Sequence, residues 1–175
     1  MARTDTRERI RSVALELFAQ NGFESTSLRE IAERLGITKA ALYYHFPSKN
    51  DLLAELVLPL TDDMAAMLSR VEAAGTPART VIEETFDLFH RHRPLFQAVV
   101  NDFAALGRTG VVPLLLDWRT RVVALLTGPD PSPEEQARVL VALGGLQDSA
   151  VMLPGIPVER YRAAAIDASC RALGG

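Results

Sequence analysis

Residues 25–51 read STSLREIAERLGITKAALYYHFPSKND, and they contain the local signals from which the structure of the N-terminal part of the chain can be predicted. Ser27 lies three residues before Glu30, the capping-box spacing that marks the start of a helix. Gly36 is suited to the left-handed conformation that closes a helix. Between them runs an apolar stripe about two turns long, formed by Leu28, Ile31, Ala32 and Leu35. The pattern predicts one short amphipathic helix.

A second short helix follows at once. Thr38 can cap its start, and Pro47 ends it because proline disfavours helical geometry at the preceding residue, Phe46. Leu42 and Phe46 are assigned to the core. Two short helices joined by a tight turn that contains glycine form a helix-turn-helix, whose second helix fits the major groove of DNA.

The second helix carries hydrogen-bond donors that suit this placement. Lys39 lies in its first turn and can donate to guanine, while Tyr43, Tyr44 and His45 near its end can donate to phosphate oxygens. Lys49 lies at the predicted start of the next helix, a position that favours phosphate. The alternative is that the aromatic residues only fill the core. Three adjacent residues cannot all point inward from one helix, so at least one polar tip is expected to face outward.

These motifs resemble the DNA-binding domain of the TetR family of transcriptional regulators. The resemblance covers about a third of the chain and is carried by Asn21-Gly22-Phe23, Ser27-Leu28-Arg29-Glu30-Ile31-Ala32, Leu35-Gly36-Ile37-Thr38, Leu42-Tyr43-Tyr44-His45-Phe46, and Lys49 with Leu52. It implies a set of phosphate contacts, Ser27, Thr38, Tyr43, Tyr44, His45 and Lys49. It also implies a set nearest the bases, Arg29, Lys39 and Ala40. Because Ala40 is small, base recognition is expected to depend on few side chains and on DNA shape.

Composition fits a globular protein with a locally basic segment. The formal charge of the 175 residues is −3, yet residues 1–49 hold eight Lys or Arg against six Asp or Glu. A local excess of positive charge is sufficient for DNA binding, because phosphate neutralisation depends on the charges at the contact and not on the net charge of the whole chain. The single Cys170 excludes an intramolecular disulfide. The polar start of the sequence and the short apolar runs predict a cytoplasmic protein without a membrane span.

Helical periodicity recurs through the rest of the chain, and no alternating strand pattern appears. The prediction is an all-α protein of about nine to ten helices. A three-helix helix-turn-helix domain would occupy residues 1–48, and a helical effector-binding and dimerisation domain residues 49–175. A first helix is expected from about Thr4 or Asp5 to Ala19. Arg3 and Arg7, at its start, could contact phosphate or lie on a solvated surface. Pro59 predicts a kink or break, with a fresh start near Thr61.

Aromatic residues concentrate in the predicted C-terminal domain, at Phe86, Phe89, Phe96, Phe103 and Trp118. They could form an ordinary helical core or line an apolar pocket. The resemblance favours a small-molecule pocket, for which the candidate polar groups are His90, Asn101, Asp102, Gln147 and Asp148. Asp148 could instead face solvent or a second subunit.

No catalytic or metal site is predicted. Asp87 and His90 share a helix face, but His92 points elsewhere, which leaves fewer ligands than zinc requires. No nucleophile motif or phosphate-binding glycine loop is present. The chain is therefore expected to be neither an enzyme nor the carrier of a cofactor.

Small residues mark the last two predicted helices, namely Ala142, Gly144, Gly145, Ser149 and Ala150 on one and Ala163, Ala164, Ala165 and Ala168 on the other. They permit close helix approach, although alanine is also simply a good helix former. The resemblance implies a homodimer through a four-helix bundle of these helices. The expected function is a regulator, usually a repressor in this family, that binds a palindromic operator and is released by a small apolar or amphipathic effector. The alternatives are a C-terminal domain that binds a protein partner and, remotely, an all-α enzyme or metal-binding protein.

Overall fold

The computed structural model describes residues 2–73, 75–100, 107 and 110–174, and this part of the chain is helical without a strand. The α-helices are α1 (Ala2–Asn21), α2 (Leu28–Leu35), α3 (Lys39–His45), α4 (Lys49–Ala73), α5 (Ala78–Arg91), α6 (Arg93–Val100), α7 (Val111–Thr127), α8 (Pro133–Val151) and α9 (Arg162–Ala172), with a 3-10 helix at Val158–Arg160. The predicted all-α class is confirmed. No helix among the described residues is long and apolar enough to cross a membrane.

The chain forms two compact units. Unit 1 comprises residues 1–61 and 94–112, and unit 2 comprises residues 62–93 and 113–175. The division therefore falls within α4, whereas the sequence placed a domain boundary at residue 48. Residues 94–112 return to unit 1 although they follow α5 in the chain.

Local signals position the helix-turn-helix in unit 1. Ser27 caps α2 by accepting a 3.1 Å hydrogen bond from the Glu30 amide, while Gly36 closes it at φ 66°. Thr38 caps α3 by accepting a 3.1 Å bond from the Ala41 amide. The core beneath these helices consists of side chains at most 1% exposed, including Ile10, Phe18, Ile31, Leu42, Phe46 and Leu52. The assignment of Leu42 and Phe46 to the core is thus confirmed.

Helix α4 runs without a break through Pro59, so the predicted break and the fresh helix start at Thr61 are wrong. Leucine and methionine side chains on both sides of the proline are buried, including Leu56, Leu60, Met64 and Met67. Their continuous apolar face holds the helix together across the missing amide, because tertiary packing outweighs local propensity. The Thr61 hydroxyl donates to the Leu58 carbonyl at 2.8 Å within this turn.

Helices α5, α8 and α9 pack against one another in unit 2. Arg162 of α9 donates two hydrogen bonds to the Asp87 carboxylate on α5, at 2.8 and 2.7 Å. Helix α8 begins with a complete capping box, in which Ser132 and Glu135 each accept from the other's amide. The Arg162–Asp87 contact ties α9 to α5, and one side of α8 and one side of α9 remain exposed.

Candidate nucleic-acid interface

One side of α3 is exposed and bears four of the predicted DNA-binding residues. Tyr43 is 41% and Tyr44 67% exposed, and Lys39 and Ala40 are exposed in the first turn. The Lys39 ammonium lies 5.3 Å from the centroid of the Tyr43 ring. We call these four residues the reading face. The exposure of both tyrosines confirms the expectation that at least one polar tip faces outward. Leu42 and Phe46, in contrast, fill the core beneath α3.

Three other predicted contacts lie on α2 and at the helix starts. Ser27 and Thr38 are exposed, and both use their hydroxyl oxygens as caps, which leaves the hydroxyl hydrogens free to donate. Arg29 is exposed and pairs with Glu33 through a 2.7 Å contact. A surface pair of this kind contributes little to stability, so Glu33 is a weak competitor for the Arg29 guanidinium, which was expected near the bases.

His45 lies half-buried at the end of α3, with its ring edge-on to Tyr44 at a centroid distance of 5.5 Å. Its carbonyl accepts a 3.3 Å bond from Arg7 of α1, and the Arg7 guanidinium lies 4.6 Å from the centroid of the Phe46 ring. Arg7 also donates to both carboxylate oxygens of Glu55 on α4, at 3.0 and 2.7 Å. Arg7 therefore joins α1, α3 and α4. Sequence reasoning did not predict this role, because Glu55 lies 48 residues away.

The Arg7–Glu55 pair is the clearest electrostatic feature of unit 1. Hydrogen bonding from Arg7 holds the pKa of the Glu55 carboxyl below its usual value, and it raises the pKa of Arg7 in turn. Both groups remain charged at neutral pH. The side chain of Arg3, the other arginine considered for phosphate contact, lies outside the described residues.

Lys49 occupies the first turn of α4, but its ammonium group points into unit 1. It donates to the carbonyls of Phe23, Thr26 and Glu24, at 2.7, 3.0 and 3.2 Å. It also lies 4.4 Å from the centroid of the Phe23 ring. A lysine ammonium has three donors, and these three carbonyls use all of them. The phosphate contact expected for Lys49 would compete with this arrangement.

The predicted effector residues are distributed over both units. In unit 2, Phe89 and Trp118 meet edge-on at 5.8 Å, and Phe86 stacks with His90 at 6.2 Å. Phe86, Phe89 and Trp118 are buried. Phe96 is half-buried and belongs to unit 1. Asn101, Asp102 and Phe103 lie outside the described residues.

Three polar atoms in this aromatic region are buried and have no hydrogen-bond partner among the described residues. They are Nδ1 of His90, Nε1 of Trp118 and the hydroxyl of Tyr161. Tyr161 contacts Phe86 edge-on at 6.1 Å, so two of the three adjoin the same ring. Leaving a buried donor unpaired costs roughly 1–3 kcal/mol. A hydrogen-bonding group from another molecule could relieve that cost if the side chains moved to admit it.

On α8, Gln147 is half-buried and Asp148 is exposed. The exposure of Asp148 agrees with the alternative that it faces solvent or a second subunit, and it leaves no buried carboxylate to be explained. Asp87 and His92 are engaged with Arg162 and Asp63, respectively. Among the described residues, no group of three or more His, Cys, Asp or Glu could hold a metal ion.

The exposed sides of α8 and α9 carry apolar and small residues. On α8, Val141 is 67% and Leu140 47% exposed, Met152 at its end is 54% exposed, and Gly145 is exposed beside them. On α9, the exposed residues include Ala163, Ala164 and Ala168. The opposite sides are buried within unit 2. Apolar surface of this kind is typical of a contact with another protein.

Comparison with known proteins agrees with the geometry of unit 1. Residues 10–56 match the model of bacterial regulatory proteins of the tetR family. The HTH-type transcriptional regulator AcrR of Shigella flexneri is 52% identical over 52 residues, which are 30% of this chain and 24% of that protein. The HTH-type transcriptional repressor KstR2 of Rhodococcus jostii (strain RHA1) is 29% identical over 109 residues, 58% of this chain and 53% of that protein. The matched segments thus span about half of these curated relatives or less.

Structural similarity extends over nearly the whole chain. The TetR family transcriptional regulator PfmR of Thermus thermophilus superposes with a TM-score of 0.74 at 23% identity, covering 97% of this chain and 96% of that one. At this identity, the likeness shows a shared fold. Residues 10–56 therefore match the tetR family of bacterial regulatory proteins at the positions of the α2 and α3 motifs, and the described chain shares its all-α fold with a TetR family regulator.

Proposed function

We propose that this chain is a transcriptional regulator that binds a palindromic DNA operator as a homodimer and releases it on binding a small effector. The observation that carries the proposal is the reading face of α3. Its donors project from a short helix that is capped at Thr38 and anchored by the buried Leu42 and Phe46. A rigid, exposed helix with polar tips is the element that helix-turn-helix proteins insert into the major groove.

Binding to a mixed-sequence DNA duplex over a series of salt concentrations tests this assignment. Affinity should fall steeply as salt rises, because phosphate neutralisation releases counterions. Lys39→Ala should reduce the preference for the duplex that the wild type selects from a random library over a mixed-sequence duplex, by about 1–3 kcal/mol, because Lys39 belongs to the set nearest the bases. The matched control is Arg119→Ala, which removes an exposed cation from α7 and should leave this preference unchanged. Equal preferences in all three proteins would contradict the reading face.

The exposed apolar sides of α8 and α9 support a homodimer. A single α3 can contact only a few base pairs, and a two-fold dimer doubles the contact across two half-sites about one helical turn apart, or a multiple of it. The same surface on both subunits would be self-complementary, as a two-fold axis requires. The small side chains on α9 would allow the backbones to approach closely.

Support for an effector comes from the aromatic region around Phe86, Phe89 and Trp118, where the unpaired buried groups lie. Trp118 is the only tryptophan, so its fluorescence reports on this region alone. Because Trp118 Nε1 is a donor only, an amphipathic molecule with an acceptor should satisfy it. Dodecanoate should therefore change the fluorescence emission of Trp118 in a way that saturates as its concentration rises, and it should weaken DNA binding. Dodecylamine is the control with the same chain length. Equal responses to the two would contradict an acceptor requirement, and no response to either would remove this support.

A further inference from the structure

The turn between α1 and α2 is closed by side chains that bond to its main-chain carbonyls. Phe23 is buried and packs edge-on against Phe18 at 5.0 Å. The buried Thr26 hydroxyl lies 2.9 Å from the Gly22 carbonyl and 3.3 Å from that of Leu17. The carbonyls of Phe23, Glu24 and Thr26 then converge on the Lys49 ammonium. The turn is thereby fixed from α1 on one side and from α4 on the other.

We infer that Lys49 is a positioning residue for DNA reading and that it acts through this turn rather than by contacting phosphate. The inference rests on the proposed DNA-binding function. Thr26 directly precedes Ser27, the cap that defines the start of α2, and α2 packs on α3. A fixed carbonyl at Thr26 therefore sets where α2 begins, and through α2 it sets the placement of the reading face.

The three carbonyls also stabilise the positive charge of Lys49 at the start of α4. A cation in the first turn of a helix opposes the helix dipole, and Lys49 is the first residue of α4. Three carbonyl oxygens and the face of the Phe23 ring offset that cost. The Glu24 carboxylate lies 3.9 Å from the ammonium and adds negative charge. The Lys49 side chain is only 22% exposed in this setting.

Arginine and lysine differ in the directions in which their hydrogen-bond donors point. An ammonium group can direct three donors to three converging acceptors, whereas the planar guanidinium fork has a fixed geometry. K49R keeps the positive charge and would preserve a phosphate contact, since arginine binds phosphate well. The same substitution would lose the three-carbonyl arrangement. K49R therefore separates the two roles without changing the net charge.

The experiment combines hydrogen exchange of the free protein with DNA affinity, measured on wild type, K49R, K49M and K39M. Affinity is measured at a temperature at which circular dichroism shows each variant folded, on the duplex that the wild type selects from a random library. K49R should accelerate exchange of the amides of residues 23–30 and lower affinity, each by about tenfold or more, the factor that corresponds to losing a hydrogen bond to a charged group. K39M should weaken DNA binding and leave exchange in this turn unchanged.

Three results would overturn the inference. Wild-type affinity and wild-type exchange in K49R would show that charge alone matters, as a phosphate contact requires. Accelerated exchange with unchanged affinity would reduce Lys49 to a purely structural role. Weak DNA binding by K49M with unchanged exchange would also indicate a direct contact. If the wild type selects and binds no duplex, the proposed function fails; unchanged exchange in K49R would then refute the turn contact itself, since exchange is measured without DNA.

Discussion

Arg7 and Lys49 are two cations whose side chains tie the helices of unit 1 together. Arg7 donates to the carbonyl of His45 and Lys49 to the carbonyl of Phe23, so both bond to the main chain. The acceptors lie 38 and 26 residues away in sequence. No periodicity or motif spacing encodes such a partner. The exposed tyrosines, by contrast, were predictable because helix geometry alone prevents three adjacent side chains from pointing inward.

The Arg7–Glu55 pair leads to a pH-dependent prediction. Because the folded-state pKa of Glu55 lies below its ordinary value of 4.5, the pair stabilises the fold above that pH. The contribution is lost as the pH falls through the folded-state pKa. Glu55→Gln should lower the free energy of unfolding at pH 7 by about 1 kcal/mol or less, because the pair is partly exposed.

Denaturant unfolding from pH 7 to pH 3 checks this prediction. The difference between wild type and Glu55→Gln should shrink as the pH falls below about 4.5. Glu33→Gln is the control, since it removes a fully exposed pair on α2 and should change stability less than Glu55→Gln does, with no dependence on pH in this range. A difference for Glu55→Gln that stays constant to pH 3 would contradict the role assigned to the pair.

At the scale of helices, starts and ends were predictable where the signal was local. Ser27, Gly36, Thr38 and Phe46 all occupy the capping positions that the sequence indicated. The break predicted at Pro59 was wrong, because whether a helix continues through proline depends on burial of its neighbours as well as on the proline itself. The buried leucines and methionines of α4 decide that question, and their burial is a property of the tertiary structure.

A pair of cap substitutions separates helix stability from DNA binding. Ser27 caps α2 and Ser132 caps α8, each by accepting a bond from the amide three residues on. Ser27→Ala and Ser132→Ala should each lower the free energy of unfolding by about 1 kcal/mol. Only Ser27→Ala should also weaken DNA binding, because its exposed hydroxyl is a candidate phosphate donor. Thermal unfolding and duplex affinity measure the two effects, and equal DNA affinities of the two variants would contradict the assignment.

At the scale of the whole molecule, the all-α class was predictable, whereas the grouping of helices into units depends on contacts between segments that are distant in the chain. Residues 94–112 belong with the N-terminal helices, although residues 62–93 of unit 2 precede them in the chain. Membership of a unit depends on long-range contacts that composition does not reveal. The predicted effector region could not be identified from sequence for a similar reason. Phe86, Phe89 and Trp118 have the spacing of an ordinary helical core as well as that of a binding site.

Two copies of this chain are proposed to read DNA through α3. Selection of bound duplexes from a random library by the purified protein, at about physiological salt, tests this proposal. We expect a two-fold symmetric motif whose half-sites lie about one helical turn or a multiple of it apart, bound by two chains or a multiple of two per duplex. An unsymmetric motif bound by one chain would contradict the dimer. Recovery of no motif by folded protein would contradict the DNA-reading function itself.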